Sequence, residues 1–331
     1  MLYELYRGGI TRMRTALSVL LACLLLFSCA LAEQDAALPE EAAEAPRLLS
    51  LPLPIDFSAG CDPQANGFTA GEDGVLSYRD PTIQVDITFK DITAYQEQKK
   101  RTAGAWIVDI RIGDASQLRT AAAESFEIDN TDEAEKMAAQ VKAVVATNGD
   151  YVTRLNNEGF VIRQGILFRN QLKGRRDVLM VDEDGDFHVF VKPKKGELSD
   201  TVDGKKVLNA FYFGPVLVEN GEVNTKMTNF TYLEPDKYYT RLAICQVGPL
   251  HYKMIVTTNN QDTNLTSGLK LKAFAQLCKD EGAITAFNLD GGYSTTLYFN
   301  GVRVNAQDNV TFRAIPDIVY FASAWDGGDE E

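Results

Sequence analysis

The sequence predicts an α+β fold, a mixed β-sheet rich in hairpins with helices packed on it, in a single domain over residues 75–325. Three observations predict it. Two segments carry apolar residues at helical spacing, and each runs directly into a short apolar strand pattern. Asn-Gly and Asp-Gly pairs separate further runs that read as paired strands. The chain has 331 residues, 45% of them hydrophobic, which is enough to bury a large core, and no repeat of fixed period divides it.

Taken in order, Ile83, Val85, Ile87 and Phe89 alternate with polar residues, as a half-buried strand requires, and 106–112 reads as a second strand. A helix is expected over about 131–142. Asn130 can cap it with Glu133 three residues on, and Ala134, Met137, Ala138 and Val141 form its apolar stripe. A strand of small and branched residues follows at 143–147. The second helix is expected over about 270–281. Leu271, Phe274, Ala275 and Cys278 share one face, Gly282 supplies the stop, and a strand follows at 284–289. Asn220-Gly221 and Asn300-Gly301 suit two-residue hairpins, because a type I′ turn needs two positive φ angles. Asp184-Gly185 does similar work between 178–181 and 187–191.

The N-terminus has a different character. Arg12 and Arg14 precede an apolar run over 16–27, and Ala30-Leu31-Ala32 places small residues before a cleavage point. That is a secretory signal, with cleavage expected after Ala32 and no transmembrane helix left in the mature chain. Leu26-Phe27-Ser28-Cys29 offers the alternative of a lipoprotein box with Cys29 acylated, into which Phe27 fits poorly. The protein is therefore expected to be secreted or held at the cell surface. Residues 33–50, rich in Ala, Glu and Pro, read as an acidic tether, with a lead-in up to 74 and an acidic tail at 326–331. The mature chain keeps Cys61, Cys245 and Cys278, enough for one disulfide and one free thiol. Cys278, on the apolar stripe, reads as a small buried hydrophobe.

Charge narrows the function. The chain carries a formal −13, and the body at 51–325 about −7. Nucleic acid, which demands a broad basic face, is not an expected partner. A single small anion held by a few local cations remains compatible. The two histidines, His188 and His251, both fall in strand patterns, and Gly-x-Ser-x-Gly, P-loop and Cys-x-x-Cys motifs are absent. Chemistry must come from carboxylates, amides, hydroxyls, arginines and backbone.

Two strand ends offer these groups. The first is Asn148-Gly149-Asp150-Tyr151, the second Asn288-Leu289-Asp290-Gly291-Gly292-Tyr293-Ser294-Thr295-Thr296. In extended chain, residues i and i+2 point to the same side, so each end presents an amide and a carboxylate together. If the two strands were sheet neighbours, Asn148, Asp150, Asn288 and Asp290 would converge at one edge. Gly291 and Gly292 let backbone N–H groups approach an anion, and Ser294 and Thr295 add hydroxyls, a cradle for phosphate or sugar.

The string from Phe287 to Thr296 resembles the Asn-Leu-Asp-Gly-Gly-Gly-Ser-Ser-Thr signature of the phosphodiester glycosidase family. Further segments agree in order: Asn148-Gly149-Asp150-Tyr151, Gly214-Pro215-Val216-Leu217-Val218 with Asn220-Gly221, Thr240-Arg241-Leu242-Ala243-Ile244, and Ser267-Gly268-Leu269. The resemblance covers roughly 80–320. Tyr293 stands where the family usually has a third Gly, Val152 where it often has Phe, and Leu242 and Cys245 where it has Thr and Gly.

The resemblance implies hydrolysis between a sugar C1 and a phosphodiester oxygen, on a sugar-1-phosphodiester or a cell-surface glycan. A phosphate monoester leaves readily, so the task is to stabilise an oxocarbenium-like sugar and a departing anion. Asp290 or Asp150 is then expected to act on C1 or activate water, with Asn148 and Asn288 orienting sugar or water. Arg241 and the loop of Gly291, Gly292, Ser294 and Thr295 would hold the phosphate, with Arg163 as a second cation. Asp150 and Asp290 are also candidate hard ligands for Ca²⁺ or Mg²⁺. Two other functions fit the same residues: a non-catalytic carbohydrate- or phosphate-binding module, and a metal-dependent phosphodiesterase cleaving P–O.

Overall fold

The computed structural model describes residues 51–72, 74–98, 102–151, 158–258, 268–306 and 312–327. The export signal, Cys29, the tether to residue 50, Val152, Ser267 and the end of the acidic tail lie outside the described residues.

Strands dominate. They hold 44% of the residues against 11% in helix, with two α-helices among the described residues. All the strand pairings are antiparallel, in three sheets. The largest sheet runs β1 (Phe68–Ala70), β2 (Leu76–Arg79), β3 (Ile83–Asp91), β4 (Gly104–Ile112), β16 (His251–Thr257), β15 (Leu242–Gly248), β17 (Thr285–Leu289), β13 (Val216–Glu219) and β14 (Glu222–Val223). A second runs β10 (Phe187–Phe190), β9 (Asp177–Asp182), β12 (Lys205–Phe213), β7 (Gly159–Arg163) and β8 (Ile166–Gln171), with β11 (Thr201–Val202) beside β12. The third runs β19 (Val302–Arg303), β18 (Leu297–Phe299), β6 (Ala143–Asn148), β20 (Asp317–Ala322) and β5 (Leu118–Ala122).

The expected α+β class with a mixed sheet is thereby corrected to an antiparallel β fold. Both helix–strand units exist, but they do not share a sheet. Helix α1 (Ala134–Gln140) feeds β6 in the third sheet, and α2 (Leu271–Asp280) precedes β17 in the first. No parallel crossover links them, so helix followed by strand does not signal a parallel sheet here.

One core joins the three sheets. Val85, Ile110, Ile244, Met254 and Phe287 from the first meet Leu179 and Phe211 from the second and Val145, Val319 and Phe321 from the third. Helix α2 covers the other face of the first sheet, where Phe274 and Cys278 pack on Ala243, Cys245 and Ala286. Helix α1 does the same for the third, with Met137 and Ala138 against Ala146 and Tyr320. Covered on both faces, β6 and β17 are buried at every position, which explains their unbroken apolar patterns.

The local predictions mostly hold in detail. Asn220 (φ 52°) and Gly221 (φ 74°), and Asn300 (φ 48°) and Gly301 (φ 79°), make the two expected turns. At 183–186 only Gly185 has positive φ (85°), and Asp182 organises the connection by accepting from the N–H groups of Asp184 and Asp186. Helix α1 is shorter than predicted. Asp132 pairs with Ile315 through two backbone hydrogen bonds, which holds the chain extended until Glu133. The thiols of Cys61, Cys245 and Cys278 are all free and buried. No helix among the described residues is long and apolar enough to cross a membrane.

Helix α2 ends in a Schellman motif: Ala283 N–H donates to Cys278 C=O (3.1 Å) and Gly282 N–H to Lys279 C=O (2.9 Å), with Gly282 at φ 90°. A Cβ at Gly282 meets nothing nearby, so the cost of substitution is conformational. Gly282→Ala is expected to destabilise the protein by about 1–2 kcal/mol, the penalty for a left-handed non-glycine residue, read as a lower urea midpoint with unchanged slope.

Candidate active site

Strands β6 and β17 belong to different sheets, so their ends do not converge as sheet neighbours. They meet across the junction between sheets. Asn148, the last residue of β6, donates its side-chain N–H to Asp290 C=O (2.8 Å) and accepts from Thr296 N–H (3.1 Å). Asp290 N–H reaches Gly149 C=O at 3.4 Å. Asn148 thus clamps the end of one sheet to the loop leaving the other.

The two expected carboxylates face different surroundings. Asp150 is fully buried, with one oxygen on Arg163 (2.8 Å) and the other accepting from Tyr212 N–H (2.7 Å). Arg163, also fully buried, donates to the carbonyls of Ile162 and Ala210, and stands 3.5 Å from a third carboxyl, Asp317. Its guanidinium lies over Phe211, 4.6 Å from the ring centre. Asp317 heads β20, and neither of its side-chain oxygens has a hydrogen-bond partner. Burial, reinforced by the charge of Asp150 and opposed by Arg163, pushes its pKa up to about 7. Gly149 makes this packing possible: a Cβ there would lie 2.0 Å from an Asp317 oxygen.

Asp290 is the half-buried member. Burial raises its pKa to about 6. The Ser294 hydroxyl, the Gly291 N–H and the charges of Arg313 and Arg176 pull the other way. The loop beyond it is stitched to Thr240. Gly292 (φ 64°) donates to Thr240 C=O (3.0 Å) and accepts from its hydroxyl (2.9 Å), and a Cβ at Gly291 would lie 2.6 Å from the same carbonyl. The N–H groups of Gly291, Gly292, Ser294, Thr295 and Thr296 all donate within the chain. The glycines therefore serve close approach rather than an anion cradle. The side chains remain open: the hydroxyls of Thr295 and Thr296 and the side-chain oxygen of Asn288 are buried without partners. Tyr293 stands at the surface, 60% exposed.

The structure puts Arg241 to a different use from the one expected. Its guanidinium donates to the carbonyls of Leu233, Glu234, Lys237 and Leu269, pinning two loops, and burial lowers its pKa to about 10. Arg163 likewise sits in the protein interior. The arginines whose charge acts on Asp290 are Arg176 and Arg313. With Asp317 they are the residues not assigned to the site from sequence. An isolated Asp heading a long apolar strand is a signal for Asp317, and proximity of Arg175-Arg176 to a strand start is a weaker one for Arg176. His188 and His251 lie elsewhere, paired with Asp182 (2.9 Å) and Asp109 (2.8 Å).

Asp150 and Asp290 do not offer a shared hard-oxygen site. Both Asp150 oxygens are engaged by Arg163 and Tyr212, and among the described residues no group of three or more His, Cys, Asp or Glu converges on one point. With both oxygens taken, Asp150 is a poor ligand for Ca²⁺ or Mg²⁺.

These features define a class: a three-sheet antiparallel β protein with a carboxylate-centred site built without histidine. A family model described as phosphodiester glycosidase matches residues 141–322, which contain every member of the carboxylate cluster, and the chain belongs to that family. Among solved structures it is similar to the zebrafish N-acetylglucosamine-1-phosphodiester α-N-acetylglucosaminidase catalytic domain auto-inhibited by pro-peptide. That match has 18% identity and a TM-score of 0.59, covering 80% of this chain and 87% of that one. It is also similar to a hypothetical protein from Synechocystis, at 16% identity and a TM-score of 0.50, covering 75% of this chain and 64% of that one. At these identities the likeness shows the fold. No curated protein matches the chain.

The buried carboxyl has a consequence for stability. Folded Asp317 holds its proton up to about pH 7, whereas the unfolded chain releases it near the ordinary value of 3.8. Stability should therefore fall as pH rises through that window and level off above it, with Asp290 adding in the same direction up to about 6. One such proton contributes at most about 1.4 kcal/mol per pH unit. Asp317→Asn removes that share, so its stability should decline less than wild type between pH 5 and 7 in urea titrations. Parallel pH profiles would show that Asp317 does not hold the proton.

Proposed function

We propose that this chain is an exported hydrolase that cleaves the C1–O bond of a sugar-1-phosphodiester, with Asp290 as the working carboxylate. The observation that carries the reading is the single half-buried carboxyl, with pKa near 6, at the junction of two sheets in a member of the phosphodiester glycosidase family. The N-terminal basic and apolar segments ending at Ala32 support export. A cell-surface glycan or exopolysaccharide carrying sugar-1-phosphodiesters fits that location.

Glycosidases commonly pair a general acid with a second carboxylate, because an alkoxide leaves poorly. A phosphate monoester is already a stable anion, so protonation of the leaving oxygen contributes little. One ionised carboxylate, attacking C1 or taking a proton from the attacking water, is then sufficient, and Asp150 is left to support the site. The unpartnered oxygen of Asn288 and the hydroxyls of Thr295 and Thr296 are suited to sugar hydroxyls.

Asp290 works ionised in this mechanism, so kcat/KM should rise with pH and reach half its plateau near 6. Asp290→Asn should lower kcat/KM by at least about a hundredfold while leaving the thermal midpoint close to wild type. In ¹⁸O water the label should enter the sugar C1 hydroxyl. Label in the phosphate would make the protein a P–O phosphodiesterase, and saturable glycan binding without product would make it a binding module.

A further inference from the structure

We infer that Arg176 is the phosphate-binding residue of this site, its guanidinium held on a shelf formed by Phe213 and Phe230 with one terminal nitrogen left without an acceptor. The inference rests on the hydrolase reading for the identity of the substrate, but its observations are independent of it. One terminal nitrogen of Arg176, Nη1, is buried and has no hydrogen-bond partner among the described residues. The guanidinium carbon lies 3.9 Å from the Phe230 ring centre and 5.2 Å from that of Phe213. Aromatic rings cover faces and leave the in-plane N–H groups unsatisfied.

A buried guanidinium nitrogen without an acceptor is costly, because the folded chain has removed water from it without supplying a partner. The deeply buried arginines meet that cost with terminal-nitrogen contacts. Arg119 and Arg241 donate to carbonyls, and Arg163 directs its terminal nitrogens to carbonyls and to Asp150 while its Nε is left without a partner. Arg176 differs from them in that the nitrogen without an acceptor is a terminal one, Nη1, at the end of the fork that meets an oxyanion.

Its position is the right one. Phe213 ends β12, and the next residue, Gly214, exchanges two hydrogen bonds with Asn288: Gly214 N–H to Asn288 C=O (3.2 Å) and the Asn288 side-chain N–H to Gly214 C=O (2.9 Å). Asn288 lies two residues before Asp290, on the same side of an extended strand. Arg176 thus overlies the strand end that is bonded to the strand bearing Asp290. Its charge and that of Asp290 act on each other, and desolvation lowers its own pKa without neutralising it. The flat fork of a guanidinium matches two phosphate oxygens at once. A phosphodiester held there would place its bridging oxygen toward the sugar and Asp290, and the same contact would stabilise the departing monoester.

The probe is inorganic phosphate, titrated into the purified protein by calorimetry. Arg176→Gln should weaken phosphate binding by at least about tenfold, the range of one charge-assisted hydrogen bond. Arg175→Gln, which alters the neighbour 3.6 Å from Glu158, should stay within about twofold of wild type. Equal binding by wild type and Arg176→Gln, or no binding by wild type at millimolar phosphate, would overturn the inference. If Arg176→Gln does not fold, phenylglyoxal modification of wild type replaces it. Phosphate should protect Arg176 in the sequenced peptides and leave Arg175 reactive, and equal modification with and without phosphate would overturn the inference. Arg176-dependent binding in a protein that releases no sugar from sugar-1-phosphodiesters would keep the inference and remove the hydrolase reading. Hydrolysis with Arg176-independent phosphate binding would do the reverse.

Discussion

The structure depends on how three sheets end against one another without leaving charge stranded. Arg163 closes the second sheet, Asp317 opens a strand of the third, and Asp150 follows the end of another. Two carboxylates and one guanidinium, all buried, would carry a net negative charge, and a low-dielectric interior penalises that strongly. Asp317 relieves the penalty by keeping its proton toward neutral pH, and Arg163 remains to neutralise Asp150. Removing either member of the Arg163–Asp150 pair strands the charge of the other, so those two act as a unit.

That unit also fixes the surroundings of the remaining carboxyl, Asp290. The Arg163–Asp150 pair and the Tyr212 N–H hold residues 148–150 in place, and Asn148 then holds the backbone of Asp290 and Thr296. Asp290 is positioned by main-chain and amide bonds instead of an ion pair, so burial is free to push its carboxyl pKa up to about 6. A carboxylate locked to arginine, as Asp150 is, would be a poor base and a poor nucleophile. The fold locks the carboxylate of one Asn-x-Asp segment to an arginine and leaves that of the other without an ion pair.

Local chemistry was readable from the chain wherever a residue type admits few conformations. The Asn-Gly turns, the Gly282 stop, the buried stripe of α2 and the paired Asn-x-Asp strand ends all follow from short-range rules. What sequence could not supply was which sheet each strand joins. Helix α1 before β6 and α2 before β17 look alike, yet they contribute to separate sheets, and no periodicity encodes that choice. The same gap misplaced the arginines. Arg241 sits in a motif-like string and Arg163 beside a glycine turn, but whether a guanidinium meets a carbonyl, a carboxylate or open space depends on long-range packing. Asp317 was passed over for the same reason: a carboxyl at a strand start reads as a surface charge until another sheet covers it.

The distribution of charge follows from these placements. The chain is acidic overall, and its body at 51–325 is only modestly so. Its buried arginines are not available to a broad anionic surface, since Arg119, Arg163 and Arg241 direct their donors inward. A phosphate on a small molecule or chain end needs only one open guanidinium beside the reacting carboxyl. A polyanion needs a continuous row of them. The chain's acidity is therefore compatible with the proposed recognition of a single phosphodiester, which would rest on local donors and not on net charge.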